Sequence, residues 1–134
     1  MKDLLIDTHA ALWLVRGAED LGPKARRTMV LAIRQDGLLM SAITCWEVAL
    51  LAAKGRLNMP NPEDWRRRVL DLGIGEVPVS GGIAIAAVLL DGLHADPADR
   101  IIVATAQSQG ATLVTADKRL LAWPGRLDRL DARS

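Results

Sequence analysis

Apolar positions along this chain fall into two rhythms. Leu4-Leu5-Ile6, Leu38-Leu39-Met40 and Thr112-Leu113-Val114 are short continuous runs, the pattern of strands buried on both faces of a parallel sheet. Between them, apolar residues recur at helical spacing. Ala10, Ala11, Trp13, Leu14 and Val15 predict a helix that stops near Gly17. Pro23 opens a second helix with Ala25, Met29 and Ile33 on one face, ended by Gly37. Thr44-Cys45-Trp46-Glu47 has the form of a capping box and predicts the start of a helix through Leu50, Leu51 and Ala53 to Gly55. Asn61 is placed to cap a helix holding Trp65, Val69, Leu70 and Leu72. Glu76-Val77-Pro78-Val79 reads as a weak strand, which Pro78 confines to an edge. Ser80 leads into an Ala/Ile/Val/Leu helix reaching about Leu90.

Asp96 and Pro97 then suit the N-cap and first position of a helix whose buried stripe is Ile101, Ile102, Thr105 and Ala106, with Gly110 as its stop. A short helix over Lys118–Ala122 and a final short strand around Leu127–Leu130 complete the pattern. Strands alternating with helices predict a single α/β domain over residues 1–134 with a central, largely parallel sheet.

Such sheets bind ligands beyond the carboxyl ends of their strands. Asp7 ends the first strand, Asp117 follows the Thr112–Val114 strand, Glu47 lies in the helix after the second strand, and Asp96 and Asp99 open their helix. If the strands are parallel neighbours, these acids converge on one edge. Each alone is explained as a helix cap, or for Glu47 as half of the capping box with Thr44; Asp99 is the hardest to explain so, because Asp96 already serves that helix end. Two carboxylates about 5 Å apart repel by about 3 kcal/mol at an effective dielectric near 20. Either some stay protonated or a divalent cation neutralises them. Oxygen donors without a partner Cys favour Mg²⁺ or Mn²⁺ over Zn²⁺, and metal-assisted phosphodiester hydrolysis is the chemistry such a pocket suits. Thr8, Ser41 and Thr115 stand at strand ends beside the acids, where hydroxyls orient carboxylates or serve turns. His9 and His94 lie near the same edge and read as polar loop residues.

Composition narrows the classes. Half the residues are hydrophobic (50%), which excludes a disordered linker. There is no Tyr or Phe, and the aromatics are Trp13, Trp46, Trp65 and Trp123, which argues against an RNA surface built on stacked aromatic rings. Net charge is +1, so no whole-molecule field advertises nucleic acid. Arg66-Arg67-Arg68 reads as a solvated helix face, and Arg126, Arg129 and Arg133 as candidate phosphate contacts. The lone Cys45 fits a reducing cytoplasm, no signal peptide is visible, and no apolar run reaches membrane-spanning length.

Leu4-Leu5-Ile6-Asp7-Thr8-His9-Ala10, Ser41 through Ala49 with Gly55-Arg56-Leu57, His94-Ala95-Asp96-Pro97-Ala98-Asp99-Arg100, and Leu113-Val114-Thr115-Ala116-Asp117 together resemble the PIN-domain family, in particular the VapC-type toxins of bacterial toxin–antitoxin pairs. The resemblance implies a three-layer α/β/α sandwich and a Mg²⁺-dependent ribonuclease, with Mn²⁺ as a substitute ion. It maps the acidic site onto Asp7, Glu47, Asp99 and Asp117, with Asp96 close by and Thr115 as the hydroxyl before the last acid. It further implies a homodimer, a small cognate antitoxin whose tail lies in a groove, and structured RNA, often tRNA, as substrate. Trp123-Pro124-Gly125 departs from the family pattern, where Tyr is common before Pro-Gly.

Three alternatives fit less well. A receiver-like phosphoacceptor domain wants a central Asp where Ser41 stands, and a haloacid-dehalogenase-like phosphatase wants a second Asp where His9 stands. The third is a PIN-fold regulatory module that binds RNA or a partner without cleavage; a lost acid would indicate it, and all four mapped positions keep theirs.

Overall fold

In the computed structural model, which describes residues 2–134, five strands form one sheet: β1 (Leu4–Ile6), β2 (Leu38–Ser41), β3 (Gly75–Val77), β4 (Thr112–Thr115) and β5 (Arg129–Asp131). Their order is β3-β2-β1-β4-β5 and every neighbouring pair is parallel. Ile6 stands level with Met40 on one side and Val114 on the other, so the residues that follow β1, β2 and β4 leave the sheet at one height. The connecting helices are α1 (Thr8–Arg16), α2 (Pro23–Arg34), α3 (Ala42–Ala53), α4 (Pro62–Asp71), α5 (Gly81–Val88), α6 (Pro97–Gln109) and α7 (Lys118–Ala122).

Alternation along β1 splits the core in two. Leu4 and Ile6 pack with Ala10 and Trp13 of α1, Met29 of α2, Val48 of α3 and Trp65 and Val69 of α4. Leu5 packs on the other face with Leu113, with Ile102, Val103 and Ala106 of α6, and with Leu120 and Trp123. Both faces are therefore covered, which makes the expected α/β/α sandwich. Burying a Leu or Ile side chain contributes roughly 1.5–3 kcal/mol, so the central strand residues Leu5 and Ile6, both at 0% exposure, anchor the two layers. Helix α5 sits outside, docked on α6 through Ile83 and Ala87 against Ala104. Its outer residues Ile85, Val88 and Leu89 are exposed.

Several local expectations hold. Gly17 and Gly110 end α1 and α6 in the left-handed conformation, Asn61, Asp96 and Asp117 cap α4, α6 and α7, and β3 is an edge strand that ends before Pro78. Others are corrected. Thr44 and Glu47 do not form a capping box: Ser41 is the N-cap of α3, its hydroxyl accepting from Ile43 N at 3.1 Å. Helix α3 follows β2 with no intervening loop, so the cap lies earlier in the chain than the box pattern suggested. The buried face of α2 is Ala25, Met29 and Ala32, with Ile33 only half-buried.

Two arginines hold backbone rather than ligand. The Arg100 guanidinium donates to the carbonyls of Ala87, Val88, Leu90, Leu93 and His94, which satisfies the end of α5 and pins the loop leading to α6. Arg129 donates to Leu120 O at 2.9 Å, Gly125 O at 3.2 Å and Trp123 O, so it is not free for phosphate. Trp123 fills the position where the family commonly has Tyr; its ring is buried and Nε1 donates to Asp91 O at 2.8 Å. Helix α2 lacks a side-chain cap. The carbonyl of Ser134 accepts from Lys24 N and Ala25 N instead, and a Cβ at Gly22 would collide with that carbonyl.

Candidate active site

Asp7 leaves β1 and caps α1. Its Oδ1 accepts from Ala10 N at 2.9 Å, and its Oδ2 accepts from the Thr115 hydroxyl at 2.5 Å. The residue is 6% exposed, and burial pushes its carboxyl up to about 6, against the pull of the Thr115 and Ala10 hydrogen bonds. Thr115 also accepts from Asp117 N at 3.1 Å, so one hydroxyl at the end of β4 links two acids.

Glu47 lies one turn into α3 and accepts a short hydrogen bond from Thr8, whose hydroxyl also meets that of Thr44 at 3.2 Å. Burial raises the Glu47 carboxyl, aided by the nearby charges of Asp99 and Asp96. Thr44 thus has a fully buried role beside the site, not a capping one. Ser41 caps α3 and its hydroxyl reaches no acid.

Asp96 caps α6 through Asp99 N at 3.1 Å and stays exposed. Asp99, in the first turn of α6, meets His94 Nε2 at 2.7 Å. Its carboxyl is raised, first by burial and then by the charges of Asp96 and Asp117, which outweigh the His94 hydrogen bond. Asp117 behaves differently. Burial alone would raise it, but the side-chain and backbone hydrogen bonds of Arg119, with its charge, outweigh burial and lower it.

These acids line one cleft of about 290 Å³: Asp7, Glu47, Asp96, Asp99 and Asp117, with Thr8, His9, Trp13, Ala116, Arg119 and Arg133. It opens where β1, β2 and β4 end, as the parallel topology requires. Asp99 is its electrostatic hub, since its charge acts on both Asp7 and Glu47 and it feels Asp96 and Asp117 in turn.

Residues 4–124 match the PIN domain family. The chain belongs to it. Ribonuclease VapC22 of Mycobacterium tuberculosis is 34% identical to this PIN protein over 122 residues, covering 90% of this chain and 91% of that one. The fold also resembles that in the DNA-bound VapBC of Salmonella typhimurium (TM-score 0.70, 19% identity, 98% of both chains). It likewise resembles VapBC2 of Rickettsia felis bound to a promoter DNA fragment (TM-score 0.68, 18% identity, 95% of this chain and 96% of that one).

A divalent cation fits this PIN cleft on the chemistry of its donors. Ligand atoms of His94, Asp99 and Asp117 lie within 4.8 Å of one another, near enough for these groups to share one ion. This group holds two of the four expected carboxylates, Asp99 and Asp117, together with His94. Asp7 and Glu47 line the same cleft but stand outside this group, each held by a threonine hydroxyl. His94 takes the place of a plain loop residue beside Asp99. Arg119 was not foreseen at all: its guanidinium lies 3.0 Å from Asp117 Oδ2 and 3.7 Å from Asp99 Oδ2. The only hint was its position two residues after the last acid. Of the C-terminal arginines Arg133 alone reaches the cleft, its guanidinium 5.2 Å from the centre of the Trp13 ring.

Proposed function

We propose that this protein is a metal-dependent endoribonuclease toxin that hydrolyses phosphodiester bonds of structured RNA, tRNA being the first substrate to test. The observation that carries the reading is the gathering of Asp7, Glu47, Asp96, Asp99 and Asp117 from four separated segments into one cleft at the carboxyl edge of the sheet. So dense a negative charge is tolerable with a doubly positive ion and wasteful without one.

Asp99 and Asp117, with Asp7 and Glu47 lining the same cleft, would hold Mg²⁺ or Mn²⁺, and His94 fixes the Asp99 carboxylate. The bound ion supplies charge neutralisation and Lewis-acid activation for attack on phosphorus. Thr8 and Thr115 set the rotamers of Glu47 and Asp7. Asp7 and Glu47, whose proton affinity burial has raised, are the groups able to take the proton that the attacking water releases.

The names of the VapBC relatives support a small antitoxin as partner, and the exposed Ile85, Val88 and Leu89 support a homodimer formed through α5. We place its action in the cytoplasm; among the described residues no helix is long and apolar enough to cross a membrane.

The deciding experiment is cleavage of total tRNA with Mg²⁺ or Mn²⁺, against chelator and against Asp7→Asn. Cleavage that needs the ion and is lost in the variant supports the reading. RNA binding without cleavage by the wild type would favour the non-cleaving regulatory module instead.

A further inference from the structure

Two guanidinium groups face the cleft, and they are held differently. Arg133 is tied down by the Trp13 ring and by Ala116 O, to which it donates at 3.3 Å. The Arg119 side chain has only carboxylate partners: Asp117 Oδ1 at 3.4 Å, Asp117 Oδ2 at 3.0 Å and Asp99 Oδ2 at 3.7 Å. It is also 61% exposed, so these pairs are weak and quickly broken. Asp99 and Asp117 belong to the group best spaced to hold a cation. Arg119 and a divalent ion therefore compete for the same oxygens.

The two acids do not depend on Arg119 for their positions. Asp117 Oδ1 accepts from the backbone amides of Arg119 and Leu120 at 2.8 and 3.4 Å, and Asp99 is held by His94. Displacing the guanidinium leaves the carboxylates in place and frees a planar fork of donors at the mouth of the cleft. That fork matches a phosphate oxygen pair.

Resting on the metallonuclease reading, we propose that Arg119 is a resident counter-ion that yields Asp99 and Asp117 to the divalent cation and then grips a phosphate of the bound RNA. The arm thereby couples the two binding events: the ion exposes the substrate contact, and RNA, by drawing Arg119 away, tightens the hold on the ion.

The test uses the whole protein and two measurements. Mn²⁺ binding is followed by calorimetry on wild type, Arg119→Ala and Arg119→Lys. Binding of a labelled single-stranded RNA is followed by fluorescence anisotropy in the Asp7→Asn background, with and without Arg119→Ala, at saturating Mn²⁺ and in chelator. Arg119→Ala should bind Mn²⁺ about two- to fivefold more tightly, and Arg119→Lys should fall between. With Mn²⁺ present the same change should weaken RNA binding roughly tenfold, and in chelator by distinctly less, about three- to sixfold, because the guanidinium is then held on the carboxylates part of the time. An Arg119→Ala protein whose Mn²⁺ affinity equals or falls below that of wild type overturns the proposal, as does unchanged RNA affinity in Mn²⁺. A wild type that takes up no Mn²⁺ overturns the metallonuclease reading and this proposal together; normal uptake with no response to Arg119→Ala overturns only the role of Arg119.

Discussion

Thr115, at the end of β4, donates its hydroxyl hydrogen to the buried Oδ2 of Asp7, which follows the neighbouring strand β1, at 2.5 Å. The same oxygen of Thr115 accepts from Asp117 N. Thr115→Val keeps the shape and removes both bonds. It should destabilise the protein by about 1–3 kcal/mol in urea denaturation at pH 7, because it strands a buried carboxylate oxygen. Thr115→Ser should recover most of the loss; equal damage from Ser and Val would mean that the methyl, not the hydroxyl, is what matters.

Asp7 also sets a pH dependence. Its carboxyl is raised from 3.8 to about 6 by burial, so the folded chain binds this proton more tightly than the unfolded one. The resulting stability is complete below about pH 4 and is lost as pH rises through about 6. Taking about 1.4 kcal/mol per unit, this amounts to roughly 3 kcal/mol. Glu47 and Asp99 shift the same way and Asp117 the other, so the clean measurement is a comparison. In chelator, wild type should lose stability relative to Asp7→Asn between pH 4 and 7; parallel curves would refute it.

At Asp99 the burden is burial plus the charges of Asp96 and Asp117. Asp99→Asn keeps an acceptor for His94 and drops the charge. Its melting temperature in chelator should rise by a few degrees, since about 1 kcal/mol moves a domain of this size by roughly 2–8 °C. The further rise on adding Mn²⁺ should shrink. A lower melting temperature in chelator would count against the repulsion.

Arg100 closes off the carbonyls of Ala87, Val88, Leu90, Leu93 and His94. Arg100→Met should cost about 3 kcal/mol or more, and Arg100→Lys should restore only part, because an ammonium cannot reach that fan of acceptors. Thermal unfolding measures the cost, and the His94 ring resonances should shift as its loop loosens.

On the outer face of α5, Val88 is 76% exposed between Ile85 and Leu89. If this face joins two copies, Val88→Glu should sediment as a monomer with unchanged circular dichroism. A dimer that persists would place the interface elsewhere.

What could be read from the sequence was whatever local chemistry decides. Apolar runs located β1, β2 and β4, and Asp96 with Pro97 and Asp117 with its short helix marked helix starts, because a cap is an interaction over two or three residues. Pro78 announced an edge strand for the same reason. Where the sequence misled, distant contacts had intervened. Thr44 and Glu47 fit the spacing of a capping box, yet both side chains turn to Thr8, 36 and 39 residues away. His94 and Arg119 looked ordinary for another reason: their main partners, Asp99 and Asp117, are close in the chain, but the pairing is set by side-chain rotamers that no spacing rule encodes, and only the approach of Arg119 to Asp99 is long-range. Trp46 sits among aliphatics at helical spacing but is 54% exposed, as amphipathic periodicity cannot say which side of a mostly apolar helix faces outward.

Strand β4 lies between β1 and β5 and arrives late in the chain, carrying Thr115 just ahead of Asp117. A polypeptide still emerging from the ribosome, or cut anywhere before residue 112, lacks the wall that closes the acidic cleft. The acidic cleft is therefore assembled in a single event, when β4 joins β1, and no piece of the chain that stops short of that strand carries it.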